Sequence, residues 1–148
     1  MCVVIDANKA ADFCNQRHPY LKTLLRWVNS GGRIASGGHL ERELFKVQAM
    51  KGILTEWSRS GKLVRIPADK VAAREAVVKQ HCVSDDPHVI ALAIEAKAHI
   101  VVTEDKQLIV DLRNTRIVGH RRRIYKENSA SPMRTDRHIA LLRSSDCQ

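Results

Sequence analysis

The sequence predicts an α/β fold in which helices cover both faces of a parallel sheet. Short β-branched runs alternate along the chain with segments of helical periodicity. The runs at residues 3–5 and 100–102 contain only valine and isoleucine, as expected for strands that are buried on both faces. At 148 residues, the chain is long enough for one domain with a substantial core and too short for two ordinary ones.

In the first half of the chain, strands and helices follow one another in the order that this fold requires. Apolar runs predict strands at residues 2–6, 33–35 and 63–66. Apolar residues at helical spacing predict helices at residues 7–16, 20–29, 39–50 and 69–80. The third of these helices is expected to end or bend at Gly52 and to continue over residues 53–58.

The second half repeats the alternation and then changes character. Helices are predicted at residues 87–96 and 106–113, and strands at residues 100–102 and 116–118. Beyond Gly119 the sequence becomes strongly basic. Residues 1–119 are therefore predicted to form the main domain and residues 120–148 a basic C-terminal extension, with a short helix at 138–142 and a loop at 128–132.

The charge of the chain indicates an anionic partner. The net charge is +9, and residues 113–143 alone carry nine basic against two acidic residues, or +7. Nucleic acid is the commonest partner of so basic a protein. Four residues of the extension are the candidate nucleic-acid contacts, with a solvated surface as the alternative interpretation: Arg121, Arg122, Arg123 and Lys126.

Other features bear on where the protein works. No apolar run approaches the roughly 20 residues of a membrane span, and the start of the chain lacks the pattern of a secretory signal. The four cysteines have no zinc-binding spacing and are expected to be reduced thiols. The histidines, including His88 and His99, are interpreted as surface residues or as residues with structural partners. A cytoplasmic protein without a membrane partner is therefore expected.

Acidic residues follow the two most apolar strands. Asp6 comes directly after the first strand, and Asp105 closes the Thr103-Glu104-Asp105 segment after the strand at 100–102. Because ligands collect at the carboxyl ends of parallel strands, we expect both carboxylates there, with Asp86 beside them at the start of the preceding helix. Carboxylates without histidine or cysteine suit hard cations such as Mg²⁺ or Mn²⁺. One or two such ions can activate a water and stabilise a leaving oxygen in phosphodiester hydrolysis.

The same stretches resemble the PIN-domain family of metal-dependent nucleases. The resemblance covers roughly residues 2–118 and is carried by Val4-Ile5-Asp6-Ala7-Asn8, by the Glu-Leu step at 43–44, by Asp86-Pro87-His88-Val89-Ile90-Ala91-Leu92-Ala93 and by Val102-Thr103-Glu104-Asp105. It implies a Rossmann-like three-layer α/β/α sandwich with a central parallel sheet. It also implies cleavage of RNA with Mg²⁺ or Mn²⁺ as cofactor.

The resemblance assigns four carboxylates as catalytic residues and metal ligands: Asp6, Glu43, Asp86 and Asp105. The neighbouring Glu41 and Asp85 remain open as rivals for the second and third positions. Asn8 and Thr103 are assigned as groups that orient a carboxylate or a water. Each carboxylate also has a structural interpretation, because the three aspartates can cap helices and Glu43 can be a surface residue in a first turn. The coincidence of all four in one βα pattern favours a site.

Three functional hypotheses follow. The first is a metal-dependent ribonuclease, and the resemblance adds a role as the toxin of a toxin–antitoxin pair, with an antitoxin protein and a homodimer as partners. The second is a catalytically weak PIN-like module that binds RNA or acts in assembly. The third is a receiver-like signalling domain, which needs an aspartate at the end of its middle strand. The strand at 63–66 would correspond to that middle strand. It ends in Pro67 and not in an aspartate, which disfavours the third hypothesis.

Overall fold

Five parallel strands form the central sheet in the order β3-β2-β1-β4-β5. The computed structural model describes residues 2–15, 18–127 and 133–144. Within these ranges the strands are β1 (Cys2–Ile5), β2 (Arg33–Ser36), β3 (Leu63–Arg65), β4 (Ile100–Val102) and β5 (Arg123–Tyr125). With helices flanking the sheet, the protein is an α/β sandwich of the Rossmann-like kind, and the predicted fold class is confirmed.

Helices connect the strands throughout the described ranges. They are α1 (Ala10–Asn15), α2 (Pro19–Asn29), α3 (Gly38–Lys46), α4 (Gln48–Arg59), α5 (Ala68–Val78), α6 (Pro87–Glu95), α7 (Lys106–Arg113), α8 (Thr115–Val118) and α9 (Met133–Arg143), with a 3₁₀ turn at Ala7–Lys9. The helix α6 packs against β1 and β2, and its residues 87–93 are all buried. Its apolar sequence is therefore that of an interior helix.

The order of the strands places β1 in the middle of the sheet, between β2 and β4. Val3 pairs with both Ile34 and Ile100, and Ile5 pairs with Val102. The Asp6 amide then donates a hydrogen bond to the Val102 carbonyl oxygen at 3.0 Å. Because the chain proceeds from β1 towards one edge and from β4 towards the other, a crevice opens where the carboxyl ends of these two strands meet.

The connection from β2 to α3 depends on glycine at two successive positions. A Cβ atom on Gly37 would lie 2.6 Å from the carbonyl oxygen of Ile66, which is too close for any other residue. Gly38 has a φ of +56°, in the left-handed region that favours glycine. These glycines let the chain turn tightly from the sheet into α3, which carries the candidate site residue Glu43.

The strand predicted at residues 116–118 is wrong, because this segment forms the short helix α8. The Asn114 side chain caps α8 by accepting a hydrogen bond from the Arg116 amide at 3.1 Å. Gly119, with a φ of +72°, follows the last residue of the helix. A short apolar run has no periodicity of its own, so the cap and the glycine decide its conformation. The fifth strand is formed instead by Arg123–Tyr125.

The body of the fold extends beyond the boundary predicted at residue 119. Residues of β5 pair in parallel with β4, and Tyr125 is fully buried in the core. The helix α9 packs against α2 and buries Leu142. The short helix expected at 138–142 therefore belongs to a longer helix of the main body. The loop expected at 128–132 lies outside the described residues.

Two other expectations also need correction. The break between α3 and α4 lies at Val47, which is extended (φ −81°, ψ 109°), whereas Gly52 is an interior residue of α4. The strand at Leu63–Arg65 lies at an edge of the sheet, and β1 holds the middle position. The argument from Pro67 against a receiver-like domain therefore does not apply.

The cysteines differ in state. Cys14 and Cys82 are free thiols, as expected. Cys2 is disulfide-bonded, so the expectation of four reduced thiols is wrong for this residue. Among residues 2–15, 18–127 and 133–144, no helix combines the length and apolar character needed to span a bilayer.

The inclusion of β5 in the core can be tested with Tyr125→Ala. The Tyr125 ring contacts that of Tyr20 at a centroid distance of 5.9 Å, and its hydroxyl donates a hydrogen bond to the Tyr20 carbonyl oxygen. We expect the substitution to lower the free energy of unfolding by about 3–5 kcal/mol, measured by urea denaturation. Arg121→Ala, at an exposed position, should change it by less than about 0.5 kcal/mol. Equal stability of the two variants would contradict the packing of β5.

Candidate functional site

The carboxyl ends of β1 and β4 are joined by the Thr103 hydroxyl. Thr103 is fully buried, and its Oγ1 donates a hydrogen bond to Asp6 Oδ2 at 2.8 Å. The same oxygen accepts a hydrogen bond from the Asp105 amide at 3.1 Å. Thr103 therefore fixes the Asp6 carboxylate relative to the loop that carries Asp105, which is the contact that its predicted orienting role requires.

Asp6 lies at the centre of the cluster and is only 4% exposed. Burial raises the pKa of this carboxyl group above its ordinary value, although the Thr103 hydrogen bond opposes the shift. The negative charges of Asp86 and Asp105 raise the pKa further, so both carboxylates lie within electrostatic reach. Asn8 acts on Asp6 through its backbone amide, while its side chain is exposed. The contact predicted for Asn8 is thus made by the main chain.

Asp105 combines a structural role with its place in the cluster. It is the N-cap of α7, and its Oδ1 accepts a hydrogen bond from the Leu108 amide at 2.9 Å. The capping interpretation is therefore correct for one of its oxygens. Among the described residues, no hydrogen bond is made to the other oxygen, Oδ2, which leaves it free to face a ligand.

Asp86 precedes α6 but does not cap it with its side chain, as far as the described residues show. Its half-buried carboxylate is therefore not committed to the helix. Burial raises the pKa of Asp86, as do the charges of Asp105 and Glu43, while His88 acts in the opposite direction. The charges of Asp86 and Asp105 act on Asp6, and those of Asp105, Glu43 and Asp85 act on Asp86, so these groups share one electrostatic neighbourhood. Among the described residues, no three of the four predicted carboxylates have ligand atoms within 4.8 Å of one another.

The two glutamates differ in the direction in which their side chains point, and the two aspartates differ in exposure. Glu43 points to α6, where its Oε2 lies 3.0 Å from His88 Nε2. Glu41 points towards β3 instead, where its Oε1 accepts a hydrogen bond from Arg65 Nε at 2.6 Å. Asp85 is exposed, whereas Asp86 is half-buried. Glu43 therefore lies beside α6 and Glu41 does not, while the choice of Asp86 over Asp85 stays a prediction that its lower exposure favours.

Lys9 separates Glu104 from the cluster, a contact that was not predicted. The Lys9 ammonium group donates hydrogen bonds to the Glu104 carboxylate and, at 3.2 Å, to Asp12. Burial tends to raise the pKa of Glu104, but the hydrogen bond and charge of Lys9 outweigh burial and lower it. Glu104 thus stays charged and paired, which leaves Asp105 as the acid of this segment that faces the cluster. The available signal was a lysine immediately after Asp6-Ala7-Asn8.

Asp111 holds the loop that leads into Asp86 and was also missed by sequence reasoning. Its buried carboxylate accepts hydrogen bonds from the Val83 amide at 3.1 Å and from the Ser84 amide at 2.9 Å. Because α7 begins at Asp105, this contact ties the loop before Asp86 to the helix that follows Asp105. An acid between the apolar residues Ile109 and Leu112 was the signal for it.

The four predicted nucleic-acid contacts do not form one surface at the cluster. Arg121 is exposed. Arg123 begins β5, at the amino ends of the strands, where its amide donates a hydrogen bond to the His99 carbonyl oxygen. Arg122 is only 6% exposed, and its guanidinium group donates to the His120 carbonyl oxygen at 2.7 Å. Lys126 follows the carboxyl end of β5 and is exposed. Lys126 is therefore the member of the set that lies on the side of the sheet where the strands have their carboxyl ends.

The four predicted carboxylates have the donor type of a hard divalent cation, but their spacing in the structure does not by itself define a metal site. All four carboxylates offer oxygen, the donor that Mg²⁺ and Mn²⁺ prefer. The Ser36 hydroxyl, at the end of β2, is fully buried and lacks a hydrogen-bond partner among the described residues. Burial is the largest cause of the raised pKa values of Asp6 and Asp86, and repulsion from neighbouring carboxylates adds to it, while His88 opposes the shift at Asp86. A divalent cation would compensate for this repulsion.

Comparison of the chain with protein-family models, with curated proteins and with solved structures gave no match.

The role of Asp111 can be tested with Asp111→Ala. Loss of the carboxylate leaves the amides of Val83 and Ser84 without their acceptor, so the free energy of unfolding should fall by about 1–3 kcal/mol. Chemical denaturation measures the change, and Glu56→Ala, which removes an exposed carboxylate on α4, serves as the control. A variant as stable as this control would show that Asp111 does not hold the loop.

The repulsion at Asp86 should appear as a pH-dependent effect on stability. The pKa of Asp86 is raised in the folded protein above its ordinary value of 3.8, so the folded state binds the proton more tightly than the unfolded state. The free energy of unfolding therefore falls as the pH rises from 3.8 through the raised pKa of this carboxyl group. We expect Asp86→Asn to increase the free energy of unfolding at pH 7, and the increase to shrink towards pH 3.8.

The measurement is urea denaturation at a series of pH values in the presence of a chelator, so that no bound cation offsets the repulsion. Glu56→Gln, at an exposed position, should show no comparable gain. A loss of stability in Asp86→Asn at neutral pH would mean that this carboxylate makes stabilising contacts instead.

Proposed function

We propose that the protein is a divalent-metal-dependent ribonuclease that hydrolyses phosphodiester bonds in RNA. The observation that carries the proposal is the mutual electrostatic influence of four carboxylates, of which Asp6 follows β1 and Asp105 follows β4: Asp6, Glu43, Asp86 and Asp105. The resemblance of these segments to PIN domains supports the same activity. The Rossmann-like sheet supports it further, because such sheets bind ligands where the strand order reverses.

In this proposal the four carboxylates hold Mg²⁺ or Mn²⁺, which when bound supplies an activated water and neutralises charge on the phosphate. Other residues of the chain fix the positions of these carboxylates. Thr103 keeps Asp6 in one orientation. The cap at Asp105 fixes the start of α7, and Lys9 keeps Glu104 apart from the cluster. Preorganised ligands of this kind bind without rearrangement.

RNA is the proposed substrate because the chain carries a net charge of +9. Of the three exposed residues among the predicted contacts, Lys126 follows the carboxyl end of β5, whereas Arg121 and Arg123 lie towards its amino end. The resemblance alone adds that the protein is the toxin of a toxin–antitoxin pair. An antitoxin partner, a homodimer and a cytoplasmic location belong to the proposal on the same basis.

One observation favours the alternative of a catalytically weak PIN-like RNA-binding or assembly module. Glu43 already lies against two histidine rings, at 3.0 Å from His88 and 3.5 Å from His39, so it is the least available of the four carboxylates. A receiver-like domain has less support, although β1 is the middle strand. Asp6 at its end is buried and accepts the Thr103 hydrogen bond, whereas a phosphate acceptor must be accessible.

The test is cleavage of a mixed-sequence RNA in Mn²⁺, in Mg²⁺ and in EDTA. We expect cleavage by the wild type in metal, none in EDTA, and a loss of roughly 100-fold or more in Asp86→Asn, because even the groups that support a metal ligand matter 10- to roughly 100-fold. The neighbouring acids provide matched controls. Asp85→Asn and Glu41→Gln should cleave at a rate close to that of the wild type.

Two outcomes would count against this proposal. Equal cleavage by Asp86→Asn and the wild type would place the activity outside the cluster. RNA binding without cleavage, by protein whose thermal melting temperature rises when Mn²⁺ is added, would favour the binding module.

A further inference from the structure

His39, Glu43 and His88 form a second group of possible metal ligands beside the acidic cluster. His39 and Glu43 are four residues apart in α3, so they lie on the same face of the helix. His88 is in the first turn of α6, which packs against α3. One ligand atom from each of the three residues can be chosen so that all lie within 4.8 Å of one another.

The distances within the group are short for three side chains on two helices. Glu43 Oε2 lies 3.0 Å from His88 Nε2, and Glu43 Oε1 lies 3.5 Å from His39 Nε2. The two imidazole rings are 4.4 Å apart between centroids. Both rings therefore direct a nitrogen to the same carboxylate, which is an arrangement that one cation can bridge.

The group combines a fixed ligand with an accessible one. His88 is only 3% exposed, whereas 47% of the His39 side chain is exposed. A pocket of about 370 Å³ adjoins both rings and is lined also by Asp85 and Pro87. This opening gives an ion and its remaining water ligands a route to the group, as a site with only three protein ligands requires.

We propose that His39, Glu43 and His88 bind a borderline divalent cation of the Zn²⁺ class. Two imidazoles and one carboxylate are a ligand set that Zn²⁺ uses with an open fourth position. Mg²⁺ prefers oxygen ligands throughout and does not select this set. The site shares Glu43 with the acidic cluster and differs from it in its two histidine ligands.

The surrounding charge favours a cation at this place. Asp86 and Glu43 interact electrostatically, and Asp86 also interacts with His88 and with the exposed Asp85. In the absence of a metal, His88 forms a hydrogen bond with Glu43 at 3.0 Å, whereas His39 lies 3.5 Å from the other oxygen of the same carboxylate. Because Glu43 also faces the acidic cluster, an ion held here would engage a carboxylate that the proposed nuclease centre uses.

The test measures Zn²⁺ binding directly and without RNA. Protein treated with EDTA and then exchanged into chelator-free buffer competes for Zn²⁺ against a chromophoric chelator. We expect His39→Gln and His88→Gln to bind Zn²⁺ roughly tenfold or more weakly than the wild type, because a ligand matters at least as much as the groups that support it. His99→Gln, which changes an exposed histidine at the amino end of β4, should stay within about twofold of the wild type. Asp105→Asn should lose less Zn²⁺ affinity than His39→Gln.

Zn²⁺ affinity that is unchanged in His39→Gln would overturn the proposal, as would a wild type that does not compete for Zn²⁺. A tenfold loss in Asp105→Asn would overturn it too, since the ion would then lie in the acidic cluster. His39 is exposed, so this variant decides the question even if substitution of the buried His88 unfolds the protein. The readout does not involve cleavage, so failure here is separate from failure of the ribonuclease proposal.

Discussion

Repulsion among carboxylates at one edge of the sheet is the physical constraint on which the arrangement of the candidate site depends. The register of β1 and β4 places Asp6 beside the loop of Asp105, and α6 brings Asp86 to the same place. The fold offsets part of the repulsion with the Thr103 hydroxyl and with the amino ends of α6 and α7, where the helix dipole favours negative charge. The pKa values of Asp6 and Asp86 are raised chiefly by burial, and the repulsion that remains raises them further.

The same constraint explains two contacts outside the cluster. Glu104 would add a further negative charge, but Lys9 pairs with it and holds it apart. The loop before Asp86 would tend to move away from like charges, but the Asp111 carboxylate holds its amides from within the core. Stability and function are therefore opposed here, because the cluster that could bind a cation is also the part of the fold with the least favourable electrostatics.

The sequence predicts most of the fold because the short runs of β1 and β4 are purely β-branched and α6 has apolar residues at helical spacing. It does not predict β5, because Arg123-Ile124-Tyr125 lies in a basic segment. The two apolar residues of this strand form a strand only by pairing with β4. In the site, the three aspartates can be found from their positions after strands and before a helix. The choice of Glu43 over Glu41 depends on Arg65, and the group of His39 with His88 depends on the packing of α3 on α6. These contacts are tertiary, and no local pattern reports them.

The hydrogen bond between Thr103 and Asp6 joins residues that are 97 positions apart. On the ribosome, a nascent chain that has exposed only its first half carries Asp6 but has no partner for that side of β1. The carboxylates come together only when β4 has been synthesised and has inserted beside β1, a pairing that requires closure of a long segment. An incomplete translation product would therefore hold separate acidic residues and no crevice between β1 and β4, which couples assembly of the candidate site to completion of the sheet.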